Sequence, residues 1–448
     1  MTPQLLCQQV AIGNWEPDGL AETGNIIRSS DAGLRSHLRS FFAFAGPGYL
    51  VATGYMDPGN WATALAGGSA FGYKLLFVAA LASLMAIVMQ ALAVRLGVVT
   101  NRDLAQSCRA SLPRPIALGL WALAELAICA TDLAEVIGTA IGLQLLFGLP
   151  LLSGALLTAG DVFLVLAMQR LGFRWIEAMV MTMLVLIAGC FVIQVQLAHP
   201  DWTQAAAGLI PSSDVLSQPG MLYIAIGMVG ATVMPHNLYL HSGLVQTTRD
   251  IGSGIEVRRK IMRLVTADSA IALLLALLIN LALIVMAAAA FHATGHFDVV
   301  DLSQAYKLIA PLLGAPIAAT LFAVALLACG FNSTITATLA GQMVMEGFLE
   351  LRLAPWARRL LTRAIAIVPA LIVIVVFGEA AVGRLLIFSQ VILSLQLPFA
   401  MVPLIVFTAQ RQRMAVLVAP VWLTALASLI AASVIVLNLW LLTQIVAA

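Results

Sequence analysis

Charge is what this sequence has least of. Only 10% of its 448 residues are charged, whereas an ordinary soluble domain carries about 25%. A water-soluble chain of this length could not cover its surface with so few charged side chains. The net charge of +2 also comes without a basic patch, and we expect no nucleic-acid partner. The sequence therefore indicates a protein that is surrounded by lipid.

Motifs for cysteine or cofactor chemistry are missing too. The five cysteines form no CxxC pair and keep no common spacing, so we expect small buried side chains rather than ligands or disulfide partners. They are Cys7, Cys108, Cys129, Cys190 and Cys329. No HExxH motif or similar cluster is present, which argues against an intramembrane metalloenzyme. We expect neither a resident cofactor nor an obligate protein partner.

Long apolar runs dominate what is present. Hydrophobic residues make up 61% of the chain, and runs near 20 residues recur, which is roughly the length a helix needs to cross a bilayer. The ten-residue alternation of a membrane barrel is not seen. The sequence thus predicts an all-α polytopic membrane protein with eleven transmembrane helices. Their predicted limits are 43–67, 74–97, 116–147, 151–170, 175–197, 218–247, 264–291, 311–346, 362–378, 383–408 and 416–445.

The positive charges support this count and give an orientation. If residues 1–42 form a cytoplasmic tail, all but three of the 23 Lys and Arg residues fall in cytoplasmic segments or adjoining span ends, as the positive-inside rule requires. The three exceptions are Lys74, Lys307 and Arg384. No cleavable signal peptide is visible. We expect a multi-pass protein of the cell (inner) membrane with its N-terminus cytoplasmic and its C-terminus extracytoplasmic.

An internal repeat relates two of the predicted spans. Asp57-Pro58-Gly59-Asn60 in the first span and Met234-Pro235-His236-Asn237 in the sixth share proline and asparagine at the same offset. The segments lie five spans apart, so they run in opposite directions. This predicts inverted five-helix repeats at 43–197 and 218–408, joined by an external loop at 198–217 and followed by an additional helix in 409–448. Interrupted apolar segments at matching positions mark the binding site of a transporter.

The chemistry at these breaks favours a cation. A proline breaks the helix, and the freed carbonyls are tolerated in a membrane only where they line a cavity. The small residues one turn earlier, Gly54 and Ala231, therefore offer carbonyls as ligands. Asp57 and Asn60 add oxygen, and Met234 adds a soft sulfur, a set that suits manganese, ferrous iron or cobalt better than calcium or magnesium. The alternative is that Met234 is apolar lining and Asp57 a helix cap.

The two break motifs resemble the signature motifs of the Nramp family (natural resistance-associated macrophage proteins), of the bacterial manganese and iron transporter type. Further similar stretches lie at 130–135, 332–336, 345–348 and 389–391. The resemblance implies a leucine-transporter-type fold with helices 1 and 6 broken at mid-membrane. It also implies proton-coupled import of divalent metals by alternating access: manganese(II) and iron(II), with cobalt, cadmium and zinc as further substrates.

The same resemblance implies a set of metal ligands. They are the side chains of Asp57, Asn60 and Met234 and the backbone carbonyls of Gly54 and Ala231, with Gln390 joining in some conformations. Gly54 stands where relatives often have alanine, and glycine is expected to leave this half-helix end looser.

A separate row of acids suggests a proton route. Glu125, Asp132 and Glu135 share one face of the third span, and such acids in a membrane need a cavity or a partner. Arg363 is the best candidate partner, and His236 could titrate near neutral pH. The predicted route contains Asp57, His236, Glu125, Asp132, Glu135 and Arg363. A static ion-pair network that holds helices together is the alternative.

Several polar residues stay outside these two sites. His236 and His241 are too far apart around a helix to form a zinc pair. His292 and His296 lie in an external loop with Asp298 and Asp301 and either gather metal ions or belong to a solvated loop. Asp161, in the fourth span, has no assigned role.

Two other transport modes remain open. One is a cation-coupled symporter of amino acids or other small organic solutes on the same fold, and the other is a channel. The acid and the thioether at the breaks, together with the broken-helix symmetry, favour a metal-ion symporter.

Overall fold

The chain is described from a computed structural model that covers residues 47–160, 173–246, 254–350, 355–378 and 381–447. Within these ranges it is helical throughout and contains no strand. In chain order the α-helices are α1 (Pro47–Gly54), α2 (Pro58–Phe71), α3 (Leu76–Thr100), α4 (Leu104–Ser111), α5 (Arg114–Phe147), α6 (Leu151–Leu157), α7 (Phe173–Ala198), α8 (Trp202–Ala207), α9 (Asp214–Ser217), α10 (Met221–Val233), α11 (Pro235–Leu244), α12 (Ile255–Ala290), α13 (Leu302–Leu313), α14 (Pro316–Leu349), α15 (Pro355–Phe377), α16 (Val382–Ala409), α17 (Arg411–Met414) and α18 (Val421–Ala447).

The helices match most of the predicted spans. In the described part of the chain, 8 stretches are long and apolar enough to cross a membrane. One of them, Pro58–Thr100, joins α2 to α3 and so takes in parts of the first two predicted spans. The fourth predicted span starts in α6 and continues outside the described residues, and the ninth has a shorter apolar core at Ile367–Phe377. The count of eleven therefore stays a prediction.

Some predicted limits were wrong, and each for a physical reason. Helix α12 starts at Ile255, ahead of the predicted 264, because its first turns are charged and lie beyond the apolar run. The predicted eighth span begins at 311, but the chain there is still in α13, which ends at Leu313 and is followed by Gly314 as its C-cap with φ 63°. A new helix, α14, then starts at Pro316. The segment 198–217, predicted to be an external loop, contains the short helices α8 and α9.

The broken helices lie in the middle of the bundle. Helix α14 packs against α5, α1 and α11, while α12 packs against α3, α1 and α2. Trp61 of α2 is fully buried, with its ring 4.9 Å from that of Phe191 and 5.4 Å from that of Phe322. Small residues let these helices approach closely; a Cβ on Gly142 of α5, for instance, would press against Leu327 of α14. The surrounding helices therefore fix the half-helix ends.

A short helix, α4, connects several of the long helices. Asp103 caps it and forms a capping box with Gln106, a reciprocal pairing that satisfies two free amides of the first turn. The Leu104 amide donates to Ser242 Oγ of α11 at 2.9 Å, and Arg109 pairs with Glu350 beyond α14 at 2.8 Å. Burial raises the pKa of the Asp103 carboxyl to about 7. Helix α4 thus ties α11 to α14 around a buried acid.

Candidate functional site

The two helix breaks follow from the position of two prolines. In a continuous helix the amide of residue 58 would bond the carbonyl of Gly54, and the amide of residue 235 that of Ala231. Both positions are proline, which has no amide hydrogen. Helix α1 therefore ends at Gly54 and α10 at Val233, and each proline becomes the first residue of the next half-helix. The carbonyls of Gly54 and Ala231 lose their helical donors at mid-bundle.

Asp57 caps the second half of the first broken helix. Its Oδ1 accepts the Asn60 amide at 2.8 Å, so the cap interpretation holds for this oxygen. Its Oδ2 is buried and makes no hydrogen bond among the described residues. The positive end of the α2 dipole stabilises the ionised carboxylate. One oxygen of Asp57 is thus engaged, and the other is available to a cation.

Asn60 joins the two breaks. Its amide nitrogen donates to Asp57 Oδ1 at 3.0 Å and to the Ala231 carbonyl at 2.8 Å. Ala231 lies 171 positions further along the chain. Its Oδ1 lies 3.5 Å from the hydroxyl of Thr232. A carboxylate, an amide and a freed carbonyl therefore converge on one point from the two halves of the chain.

Met234 completes this neighbourhood in a strained conformation. It is buried, with φ 32° and ψ 104°, an unusual backbone for a residue with a long side chain. The Asn237 amide nitrogen lies 3.5 Å from its sulfur, and that amide also lies against Gly54, where an added Cβ would overlap it. Gly54 therefore does more than loosen a helix end, because its missing side chain admits Asn237. The repeat pairs Asn237 with Asn60, which was the sequence signal for this residue.

Gln390 reaches the site from α16. Its side chain packs on Gly59, where an added Cβ would overlap it. Its Nε2 donates to Ser389 Oγ at 3.0 Å, and its Oε1 is buried without a hydrogen bond in the described structure. All six residues of the predicted metal site therefore lie together around the two breaks.

The electrostatics of this arrangement suit one divalent cation. The C-terminal ends of α1 and α10 carry partial negative charge, and Asp57 adds the carboxylate at the breaks. Among the described residues no group of three or more His, Cys, Asp or Glu side chains could hold a metal ion. The donors are thus mainly neutral oxygens with a single thioether, which is a weaker cage than a structural metal centre. Weak binding of this kind allows an ion to leave as well as enter.

The predicted proton-route residues lie beside the second break. His236 Nδ1 is 3.4 Å from the hydroxyl of Thr131 on α5, and its Nε2 is buried without a hydrogen bond in the described part of the chain. Asp132 and Glu135 of α5 are buried. Glu125 is only half-buried and accepts from the Trp121 ring at 3.2 Å.

The side chain of Arg363, a predicted member of this route, falls outside the described residues. So does the whole of Asp161, which has no assigned role.

Comparison with known proteins decides the family. The profile of natural resistance-associated macrophage protein-like sequences, Nramp, matches residues 48–444. The chain belongs to the Nramp family. A divalent metal cation transporter, MntH, of Agrobacterium fabrum is 59% identical over 407 residues, which cover 91% of this chain and 88% of the relative.

Solved structures place the fold of this Nramp chain. The crystal structure of an Eremococcus coleocola manganese transporter, in complex with an aromatic bis-isothiourea compound, is 40% identical. It superposes with a TM-score of 0.82 over 91% of this chain and 87% of that one. A nucleobase-cation-symport-1 family transporter has a TM-score of 0.61 at 15% identity, over 82% of this chain and 79% of that one. That distant likeness concerns the fold alone, and the predicted leucine-transporter-type fold is confirmed.

A second polar chain in this Nramp protein was not predicted. It runs from the first break through Gln90 of α3 to α11 and α12. Gln90 Nε2 donates to the Tyr55 hydroxyl at 2.7 Å, and Gln90 Oε1 lies 2.8 Å from His241 Nδ1. His241 Nε2 lies 3.1 Å from Ser269 Oγ. His241 and His236 thus belong to separate hydrogen-bond networks, and the only sequence signal for Gln90 was an amide inside an apolar span.

The histidines of the loop after α12, predicted to be external, have structural partners. His292 Nδ1 lies 2.8 Å from the Ser69 carbonyl, and His296 Nδ1 lies 3.0 Å from Thr294 Oγ1. Ser69 Oγ in turn donates to the His296 carbonyl at 2.8 Å. These contacts fasten the loop to the end of α2, and they favour the loop interpretation over metal gathering.

Proposed function

We propose that the chain is a proton-coupled importer of divalent transition-metal ions, chiefly manganese(II) and iron(II), that works by alternating access. The observation that carries this proposal is the convergence of Asp57, Asn60 and the Ala231 carbonyl at two proline breaks, with Met234 buried beside them. The named relatives, divalent metal cation and manganese transporters, agree with it. The metal is cargo, held by ligands that belong to both halves of the chain.

Alternating access follows naturally from ligands shared in this way. If one half-helix end moves with its neighbours, the hydrogen bond from Asn60 to the Ala231 carbonyl breaks. The ion is then released on the side that opens. The distant transporters of the same fold carry organic solutes, but recognition of a substrate carboxylate uses half-helix N-termini. Here Asp57 already occupies the N-terminus of α2, which favours a cation over an organic acid.

Apart from Asp57, the proposed proton route is distinct from the metal ligands. It runs from Asp57 past His236 to Asp132 and Glu135 on α5, with Glu125 and Arg363 further along. The contact between His236 and Thr131, next to Asp132, supports the step from the second break to α5. Protons and metal ions would thus share Asp57 and then take separate paths. We also propose that the N-terminus is cytoplasmic and that the protein resides in the cell (inner) membrane.

Uptake into proteoliposomes tests this function. The parent should take up manganese in a saturable manner, with acidification of the lumen that depends on added metal. Asp57→Ala removes the carboxylate and should abolish both signals while the protein still inserts. Asp214→Ala removes an exposed carboxylate that pairs with Lys74 at 2.6 Å, far from the breaks, and should leave uptake unchanged. Normal uptake by Asp57→Ala would show that the ion binds elsewhere.

A further inference from the structure

Cys329 of α14 touches the backbone of the first break. Its side chain is 1% exposed, and its thiol donates to the carbonyl oxygen of Met56, 273 residues earlier in the chain. Met56 lies between Gly54 and Asp57, inside the segment that joins α1 to α2. This contact therefore fastens the non-helical segment of the metal site to a long helix.

The Met56 carbonyl needs such a donor. In a continuous helix it would accept the amide of Asn60, but that amide bonds Asp57 Oδ1 at 2.8 Å. The Asp57 side chain thus takes the amide that would have served this carbonyl, and a buried carbonyl without a donor is costly. The thiol of Cys329 donates to the Met56 carbonyl in place of the Asn60 amide, which the Asp57 cap has taken.

The surroundings of Cys329 include residues of the two functional regions. Asp57 of the metal site and Glu135 of α5 are both near enough to act on the thiol electrostatically. Helix α14 packs along α5 and also against α1. A movement of α14 relative to the break would therefore be transmitted through the Met56 carbonyl.

We propose that Cys329 is a positioning residue of the metal site. Its thiol holds the Met56 carbonyl and thereby sets the direction in which the Asp57 carboxylate and the Gly54 carbonyl face the ion. The thiol acts as a hydrogen-bond donor and not as a metal ligand. Serine can supply the same donor, whereas alanine cannot. The inference rests on the proposed function, because it refines the same site.

Manganese uptake by three variants tests this role. Cys329→Ala should raise the KM for manganese about three- to tenfold, the effect of losing one buried hydrogen bond, with the maximal rate within about twofold. Cys329→Ser should restore the KM to within about twofold of the parent. Cys190→Ala makes the same change in a buried cysteine of α7 and should leave the KM unchanged. If Cys329→Ala fails to insert, Cys329→Val fills the position without a donor and replaces it.

Cadmium separates positioning from ligation. A positioning role predicts that the KM values for manganese and cadmium rise together in Cys329→Ala and recover together in Cys329→Ser. A rise confined to cadmium that serine does not rescue would show that the sulfur binds the ion, and an unchanged KM would show that the bond has no effect. Either result overturns the proposal while leaving metal transport intact. Absence of uptake by the parent would instead overturn the proposed function, and this inference with it.

Discussion

At the residue scale, the site depends on a few atoms that lack the partners a continuous helix would give them; the Gly54 carbonyl, for instance, accepts among the described residues only the Asp57 amide, at 3.3 Å across the break. Asp57 engages one oxygen in capping α2 and keeps the other free of hydrogen bonds in the described structure. Ala231 and Gly54 have carbonyls whose helical donors were removed by proline. Each ligand is therefore produced by a local feature of the chain, and their meeting point is produced by the fold.

The selectivity of the site should depend on Met234. Replacing a bound water by a thioether ligand is unfavourable for calcium or magnesium. The same replacement is more favourable for manganese, iron or cadmium. We therefore expect Met234→Ala to keep manganese uptake, weaken cadmium binding and admit calcium or magnesium. Uptake of labelled manganese and cadmium with millimolar calcium or magnesium present measures this. A variant that still excludes the hard ions would assign selectivity to cavity size or hydration.

The absence of a side chain at Gly59 should matter as well. An added Cβ would overlap the Gln390 side chain, so Gly59→Ala should push Gln390 out of the site. We expect a KM for manganese raised severalfold, about the effect of one lost polar contact, with insertion unchanged. Gly119→Ala is the matched control, because nothing lies within 4 Å of a Cβ at that helical position of α5. Equal KM values for manganese in the two variants would show that Gln390 does not contribute to metal binding.

Much of the site was predictable from residues that are close in sequence. The two proline motifs identified Asp57, Asn60 and Met234, because a helix break with an acid has few other uses in a membrane. The partners Cys329 and Gln90 were not predicted, since neither lies in a motif that signals its contact. Their roles come from contacts across hundreds of residues, and a buried cysteine or amide alone gives no sign of what it faces.

At the element scale, short helices fix the long ones. Helix α4 is an example, because its buried cap Asp103 accepts the Gln106 amide while α4 contacts both α11 and α14. The sequence predicted only a joint here. Its capping box is a recognisable pattern, but the burial of the cap follows from tertiary packing against Gly347 of α14, where a Cβ would press on Ala105.

The buried cap makes a prediction about stability and pH. Because burial raises the pKa of Asp103 from 3.8 to about 7, the folded chain keeps a proton that the unfolded chain releases between about pH 4 and pH 7. Stability should therefore fall as the pH rises through this window, by an amount on the order of a few kcal/mol. Asp103→Asn keeps a capping side chain and should flatten the fall of the apparent Tm between pH 5 and 8.

The control for this prediction is the same substitution at an exposed cap. Asp201 caps α8 by accepting the amides of Thr203 and Gln204, and Asp201→Asn should keep the pH dependence of the parent. The measurement is thermal unfolding of purified protein in detergent. A slope that is unchanged in Asp103→Asn would mean that Asp103 is ionised throughout this range, with Arg109 compensating its charge.

At the scale of the whole molecule, the fold is more general than the chemistry. A transporter that shares only 15% of its residues has the same fold with a TM-score of 0.61, so the architecture does not require this chain's ligands. Long apolar runs and charge placement were enough to predict an all-helical membrane fold. The helix ends outside the membrane were less predictable, because polar turns of α12 and the separate helix α13 leave no apolar signal.

Orientation is the last expectation and belongs to the whole chain. All but three of the 23 Lys and Arg residues fall on the side assigned to the cytoplasm, and such a bias directs insertion. Gln204 on α8 and Ile255 at the start of α12 are both exposed, and they are predicted to face opposite sides. In intact cells Gln204→Cys should react with an impermeant thiol reagent, whereas Ile255→Cys should react only after permeabilisation, with the parent as the blank. The opposite pattern would reverse the assigned orientation.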